Sequence, residues 1–282
     1  MAVLTDKFSL ANGTNIPQVG FGTWQIPGGQ TAYDAVANAL KTGYRHIDTA
    51  KAYANESSVG KAVRDSGLDR SDVFVTTKLP AETKSYQGAL ADFKTTLKNL
   101  DLDYVDLYLI HAPWPWNEIG KDCDAQNLEV WQAMEEIYTS GKAKAIGVSN
   151  FNVHDLQNIL HHATVAPMVD QIQYYVGYTE PKITKFAQDH GMLVEAYSPL
   201  ATGDMLNNPA VREMANKYHV SPAQLALRFC LENGVLPLPK ATHQDHIEAN
   251  AQLDFSINAA DMATLNGMAD TAANHFHNGT QG

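Results

Sequence analysis

Short apolar runs rich in β-branched residues alternate along the chain with longer stretches whose apolar residues recur at helical spacing. The opening KFSL-ANGTNIPQVG is different: two short apolar runs flank an Asn12-Gly13 turn, the pattern of a β-hairpin. Pro17 argues against a central sheet position, so this hairpin belongs at an edge or over an opening as a lid. From there the runs VGFG, HIDT, VFVTTKL and VDLYLIH precede helical patterns over 31–42, 56–66, 85–100 and 127–140. The runs AIGVSN, MVDQIQY, LVEAYSP and VLPLP precede patterns over 153–161, 181–190, 209–218 with 222–232, and 243–251, and 259–268 reads as one more helix. Eight strand-then-helix units favour closure into an α/β (β/α)8 TIM barrel, with the hairpin as an N-terminal cap (1–18) and extra helices near the C terminus. An open doubly wound sheet is the alternative the pattern leaves. No composition break divides the chain, so 1–282 is expected to be a single barrel domain with a polar tail over 274–282.

Composition narrows the function classes. The formal charge of the 282-residue chain is −11, with 44% hydrophobic and 18% charged residues. That balance argues against a phosphate backbone or an anionic membrane as the main partner, because both need clustered Lys and Arg, and leaves room for a local positive site for a small phosphorylated ligand. Cys123 and Cys230 stand far apart without metal-type spacing, and no run of about 18 apolar residues occurs. A monomeric protein of a reducing cytoplasm, without signal peptide, membrane span, nucleic-acid partner or disulfide framework, is the expectation.

The stretch GYRHIDTAKAYANE, 43–56, is the first candidate for chemistry. It places Asp48 at a strand end and Tyr53 in the following loop, with Asn55-Glu56 opening a helix. Lys78 ends the third barrel strand and His111 the fourth, so adjacent strands deliver four polar groups to the C-terminal mouth, where barrels of this kind work. A phenol with a pKa near 10 is a poor acid at neutral pH. An ammonium about 4 Å away stabilises phenolate by roughly 4 kcal/mol at an effective dielectric near 20, enough to bring the phenol near physiological pH. Asp48 then holds the ammonium, and His111 orients a substrate oxygen. Each residue also has a structural account: Asp48 as a turn cap, Lys78 as a surface cation, His111 as a satisfied strand-end histidine. Gly20-Phe21-Gly22 begins a dinucleotide fingerprint, but Gln25 stands where its third glycine belongs, so that signal fails. His161-His162 and His275-x-His277 lack carboxylate or thiolate partners at ligand spacing, and no metal is expected.

GYRHIDTAKAYANE, the lysine of TTKL, LIH, GKAKAIGVSNF, DQIQY, VEAYSPL and LPK, in this order and from the hairpin to about residue 253, resemble the aldo-keto reductase superfamily. The nearest likeness is to its bacterial 2,5-diketo-D-gluconate reductase-like branch. The resemblance implies a barrel that binds NADP(H) without a Rossmann domain and reduces small aldehydes or ketones to alcohols. It implies Tyr53 as general acid, Asp48 and Lys78 as its tuning pair, and His111 as the orienting group. Ser149, Asn150 and Gln171 match holders of the nicotinamide carboxamide, and Tyr197 matches the ring that stacks on the nicotinamide. Ser198 and Leu200 match pyrophosphate contacts, while Gly22, Thr23 and Trp24 match a segment beside cofactor and substrate. Lys240 matches a 2′-phosphate contact and Asn250 an adenine contact, with Thr242 and His246 in the same cofactor segment. Ser149-Asn150 also suits a cap for the helix after 153, and Tyr197 also suits barrel packing.

Three departures from the family pattern fall at the adenosine end: Ala241 replaces the usual Ser, His246 an Arg, and Ala249 a Glu. Loss of a guanidinium fork at 246 weakens a 2′-phosphate site, so NADPH use with reduced discrimination against NAD(H) is expected. In HAPWPW the tryptophans stand later than in the family's HWP, and Trp24, Trp114 and Trp116 are expected to form an aromatic substrate mouth. Two other classes compete: a cofactor-sensing regulatory subunit with little turnover, and a barrel lyase or isomerase without a redox cofactor.

Overall fold

Ten strands and ten α-helices follow the alternation of the sequence in the computed structural model, which describes residues 2–272. The tail over 274–282 and the His275-x-His277 pair lie outside the described residues. Strands β1 (Lys7–Ser9) and β2 (Asn15–Pro17) pair antiparallel around the Asn12-Gly13 turn. The remaining strands are β3 (Phe21–Gly22), β4 (His46–Asp48), β5 (Phe74–Leu79), β6 (Val105–Ile110), β7 (Ala143–Ser149), β8 (Val169–Gln173), β9 (Leu193–Tyr197) and β10 (Val235–Pro237). They form one parallel eight-stranded sheet in sequence order. The seam between first and last strand closes through Gly20 N–H donating to Pro237 O (3.1 Å) and Gly22 N–H to Pro239 O (2.9 Å). Closure excludes the open-sheet alternative. It also explains the two glycines: a Cβ on Gly20 would lie 2.4 Å from Leu238 Cδ2, and one on Gly22 3.1 Å from Leu238 O.

Helices α1 (Gln30–Thr42), α2 (Glu56–Asp65), α3 (Tyr86–Leu100), α4 (Asp124–Thr139), α5 (Val153–His162) and α6 (Pro181–Asp189) follow β3 to β8 in turn. Two helices, α7 (Pro209–Lys217) and α8 (Pro222–Glu232), separate β9 from β10, and α9 (Gln244–Asn250) and α10 (Ala259–Asn266) complete the described chain. The boundaries follow local chemistry. The Asn152 and Asp155 side chains make a reciprocal capping box at α5, and Ser221 and Gln224 do the same at α8, which also carries Pro222 at its first position. Helix α4 starts at Asp124, three residues before the expected 127, because its polar first turn shows no apolar periodicity.

Strand alternation divides the burial into two layers. Outward positions such as Ile47, Val75, Tyr108 and Ile146 pack with the helices into the main core. Inward positions at the N-terminal end, Phe74, Leu107, Leu109, Val169 and Leu236, pack with Leu10 and Ile16 of the hairpin, which plugs that end of the barrel. The plug leaves the C-terminal end as the open one. Inward positions there are polar: Asp48, Lys78, Gln171 and Glu195 are all buried.

Candidate active site

The four residues singled out from the sequence meet at the C-terminal end of the barrel. Asp48 ends β4, Lys78 stands next to last in β5, and His111 follows β6. Tyr53 closes a single 3-10 turn, Lys51–Tyr53, whose sharp exit puts Ala54 at φ 55°. The Lys78 ammonium, fully buried, donates to both Asp48 carboxylate oxygens (2.7 and 2.8 Å) and to Thr49 O (3.0 Å). Its remaining neighbour is the Tyr53 hydroxyl at 3.4 Å. The Asp48 carboxylate is thus engaged by Lys78 rather than capping a turn, and Lys78 is no surface cation. The helix after Tyr53 is held differently from a simple cap. Asn55 uses its amide to donate to Thr23 O and Ile26 O (3.0 Å each) and accepts from the Thr49 hydroxyl (2.7 Å), tying this loop to the one after β3.

Electrostatics correct the simple two-charge estimate for Tyr53. Burial pushes its phenol above the usual value by more than Lys78 pulls it down, and Asp48 opposes Lys78. The hydroxyl is therefore a neutral donor at pH 7, with the Lys78 ammonium opposing part of the effect of burial. Burial also draws the Lys78 ammonium down, but Asp48 and Tyr53 outweigh it and the net direction is up, so Lys78 stays charged. Burial, with Lys78 adding to it, pushes His111 well below the ordinary histidine range, leaving a neutral imidazole. His111 packs edge-on against Tyr53 (centroids 5.6 Å) and against Trp116 (5.5 Å).

A cavity of about 1410 Å³ opens over these groups and runs along the strand ends. Asp48, Tyr53 and His111 line it together with Gly22, Trp24 and Trp116. Ser149, Asn150, Gln171 and Tyr197 line it as well, with Ser198 and Leu200 after β9 and Lys240, His246 and Asn250 from the β10–α9 segment. Three expected contacts fall elsewhere. Thr23 is fully buried with its hydroxyl on Asp48 O (2.9 Å), Thr242 is exposed off the cavity wall, and Trp114 packs behind Trp116 (centroids 5.2 Å) with Ala81 and Ala112. Trp114 is buried, whereas Trp116 lines the cavity.

On the cavity wall Asn150 donates to His111 O (2.9 Å) and accepts from the Tyr197 hydroxyl (2.7 Å). The Ser149 hydroxyl donates to Gln171 O (2.8 Å). Neither caps α5, since Asn152 does. Gln171 Nε2 donates to Asp48 Oδ2 (2.9 Å) and Glu195 Oε2 (2.7 Å), so both amide hydrogens are engaged and its oxygen is left as an acceptor at the cavity wall.

Several site groups escape sequence reasoning. Glu195 is fully buried beside Gln171 in register, and burial, with Asp48 adding to it, pushes its carboxyl up to about 8. Its signal was available: it lies two residues before Tyr197 on the inward face of β9. Lys84 donates to Ala112 O (2.8 Å) and Asn127 Oδ1 (3.1 Å), and Asn127 donates to Pro113 O (2.9 Å), fixing the start of the tryptophan loop. Leu206, Arg212, Asn216 and Ala223 line the cavity from the segment between β9 and β10 and carry no sequence motif.

The cavity fits a dinucleotide. It is large, and its wall offers an amide acceptor, a tyrosine ring and the side chains of Lys240 and Arg212. Among the described residues no group of three or more His, Cys, Asp or Glu could hold a metal ion, and no helix is long and apolar enough to cross a membrane.

A closed barrel with a buried Asp–Lys pair touching a tyrosine at the mouth of such a cleft is suited to proton transfer beside a bound dinucleotide. The profile described as Aldo/keto reductase family matches residues 18–270, and the chain belongs to that family. It is 38% identical over 266 residues to the glyoxal reductase of Bacillus subtilis (strain 168), covering 94% of this chain and 93% of that one. Among solved structures, an aldo/keto reductase from Brucella melitensis superposes with a TM-score of 0.86 at 38% identity, covering 93% and 98% of the two chains. An aldo-keto reductase of Bombyx mori in complex with NADP gives 0.85 at 32% identity, covering 94% and 93%. The chain is an NAD(P)H-dependent oxidoreductase of this family and its cofactor is NADP(H).

Proposed function

We propose that the protein reduces small aldehydes, ketones or dicarbonyls to alcohols with Tyr53 as general acid. The observation that carries the reading is the Lys78 ammonium, fully buried, bound to Asp48 and 3.4 Å from the Tyr53 hydroxyl. When bound, NADPH supplies the hydride for the carbonyl carbon. Gln171, Asn150 and Ser149 hold and orient the nicotinamide amide, and Tyr197 presents its ring to the same part of the cavity. The substrate oxygen accepts from Tyr53 and from neutral His111, so negative charge grows against donors already in place. Tyr53 then gives up its proton, and Lys78 limits the cost of the phenolate left behind. Trp24 and Trp116 make an apolar rim suited to small uncharged carbonyls, with Trp114 supporting Trp116.

Likeness to the 2,5-diketo-D-gluconate reductase-like branch, a monomeric state, one domain over 1–282 and a cytoplasmic setting belong to the same proposal and rest on the sequence. Tyr53→Phe tests it. Reduction of an aldehyde panel with NADPH should fall by about a hundredfold to ten-thousandfold, the range of general acid catalysis, while NADPH binding by fluorescence is unchanged. Turnover retained in that variant removes Tyr53 from the acid role. A wild-type chain that binds NADPH but turns over none of the panel favours the regulatory-subunit reading.

A further inference from the structure

The departures at 241, 246 and 249 leave Lys240 as the one strong cation of the segment that faces the adenosine end. The structure supplies another from a different part of the chain. The cavity wall includes Arg212 of α7, with Asn216 of the same helix and Ala223 of α8. The chain has five arginines, and four guanidinium groups are engaged: Arg45 on the backbone carbonyls of Leu40 and Tyr44, Arg64 on Asp101, Arg70 on Asp106, and Arg228 on Glu232. The Arg212 guanidinium has neither a hydrogen bond nor an ion pair among the described residues. Acids outnumber basic residues by 31 to 20, yet Asp48, already held by Lys78, is the only acid on the cavity wall among the described residues. An unpaired guanidinium facing an acid-free stretch of cleft in an acidic protein is the arrangement of an anion site.

We propose that Arg212 is the second cation on the cofactor's adenosine 2′-phosphate, acting with Lys240 to set the preference for NADPH over NADH. The proposal rests on NADP(H) being the cofactor. A phosphate monoester carries close to two charges at neutral pH, more than one exposed lysine neutralises. The planar fork of Arg212 restores the two-point contact that His246 cannot make, from α7 instead of from α9. The reduced discrimination expected from position 246 alone is then offset.

The test is binding, read by quenching of tryptophan fluorescence, since Trp24 and Trp116 face the same cavity. NADPH and NADH are titrated into wild type, Arg212→Gln and Arg212→Lys, with adenosine 2′,5′-bisphosphate and AMP as competitors. Arg212 is exposed on α7, so the substitutions should leave the melting temperature in place. In Arg212→Gln, affinity for NADPH and for the bisphosphate should fall roughly tenfold or more, the scale of one charge-assisted contact, with NADH and AMP changed by less than about twofold. Arg212→Lys should recover part of the loss. Equal losses for all four ligands place Arg212 on the shared adenine or pyrophosphate and overturn the proposal. No loss for any of them makes it a plain surface cation and overturns it too. A wild-type chain that shows no NADPH signal overturns the cofactor assignment along with it.

Discussion

Removing the buried ammonium is the sharpest perturbation of this site, because Lys78 is both a fold element and a chemical one. Lys78→Met keeps most of the side-chain volume and deletes one charge. At 3.4 Å and an effective dielectric near 20, that charge favours phenolate at Tyr53 by about 5 kcal/mol before Asp48 offsets part of it. If half of this is expressed while the proton is in transit, kcat falls by about two powers of ten, and by about three if most is. The same substitution leaves the Asp48 carboxylate buried without its cation, which costs about 3–5 kcal/mol of stability. Loss of activity alone is therefore ambiguous. The double variant Asp48→Asn/Lys78→Met separates the two effects, since it removes the orphaned charge while the new amide oxygen at that position still accepts from Gln171. Chemical denaturation should show the single variant strongly destabilised and the double variant recovering most of the loss. Both should stay at least about a hundredfold below wild type in kcat at saturating NADPH and substrate. Recovery of turnover together with stability in the double variant would refute the reasoning, because Lys78 would then matter only for packing.

Two pH predictions follow from buried groups. Glu195, raised from its ordinary 4.5 to about 8, keeps its proton where the unfolded chain has lost it. Its contribution to stability is fully present below about pH 4.5 and is lost as pH rises towards 8, at up to about 1.4 kcal/mol per pH unit. Urea unfolding of Glu195→Gln should therefore show a gain relative to wild type that grows from pH 5.5 to pH 8; a gain independent of pH contradicts the assignment. His46, pushed by burial down to about 3, and His111, pushed well below 6.5, act in the opposite sense. Their contribution is present above about pH 6.5 and is lost as pH falls, because the unfolded chain takes up protons first. Ring-proton resonances of both should hold their neutral positions from pH 8 to pH 5, and a midpoint above pH 6 for either contradicts its burial.

The barrel and its helices were legible because each strand is an apolar run bounded by turn chemistry and many helices carry their own caps. The expected starts at 153 and 222 are where the helices begin, although the cap of the first is Asn152 and not Ser149-Asn150. The catalytic candidates were legible for a related reason: Asp48, Lys78 and His111 interrupt apolar runs at strand ends, where parallel register brings them together. Arg212 and Lys84 were not, since each stands in an ordinary helical or loop pattern and acts only through a segment remote in sequence. Thr242 and Trp114 do not line the cavity, although Lys240 and Trp116 near them in sequence do. Neighbours in a motif share a loop, but backbone direction decides which of them faces the cavity.

The polar layer at the open end also explains why Glu195 and the tetrad belong to one electrostatic unit. Lys78, Asp48, Gln171 and Glu195 are linked in series by contacts of 2.7 to 2.9 Å, all buried. One cation lies among two acids, and Asp48, touching it, keeps the negative charge. Glu195 stays protonated at pH 7 because burial, with the Asp48 charge adding to it, disfavours a second anion in the same layer. The layer is neutral in that state, which suits a phenol that must become phenolate only in passing. Above about pH 8 the layer gains a negative charge through Glu195, and both Tyr53 and the oxygen developing beside it face greater repulsion. Carbonyl reduction should therefore lose rate on the alkaline side before Tyr53 itself titrates, and the Glu195→Gln variant should move that limb upward in pH.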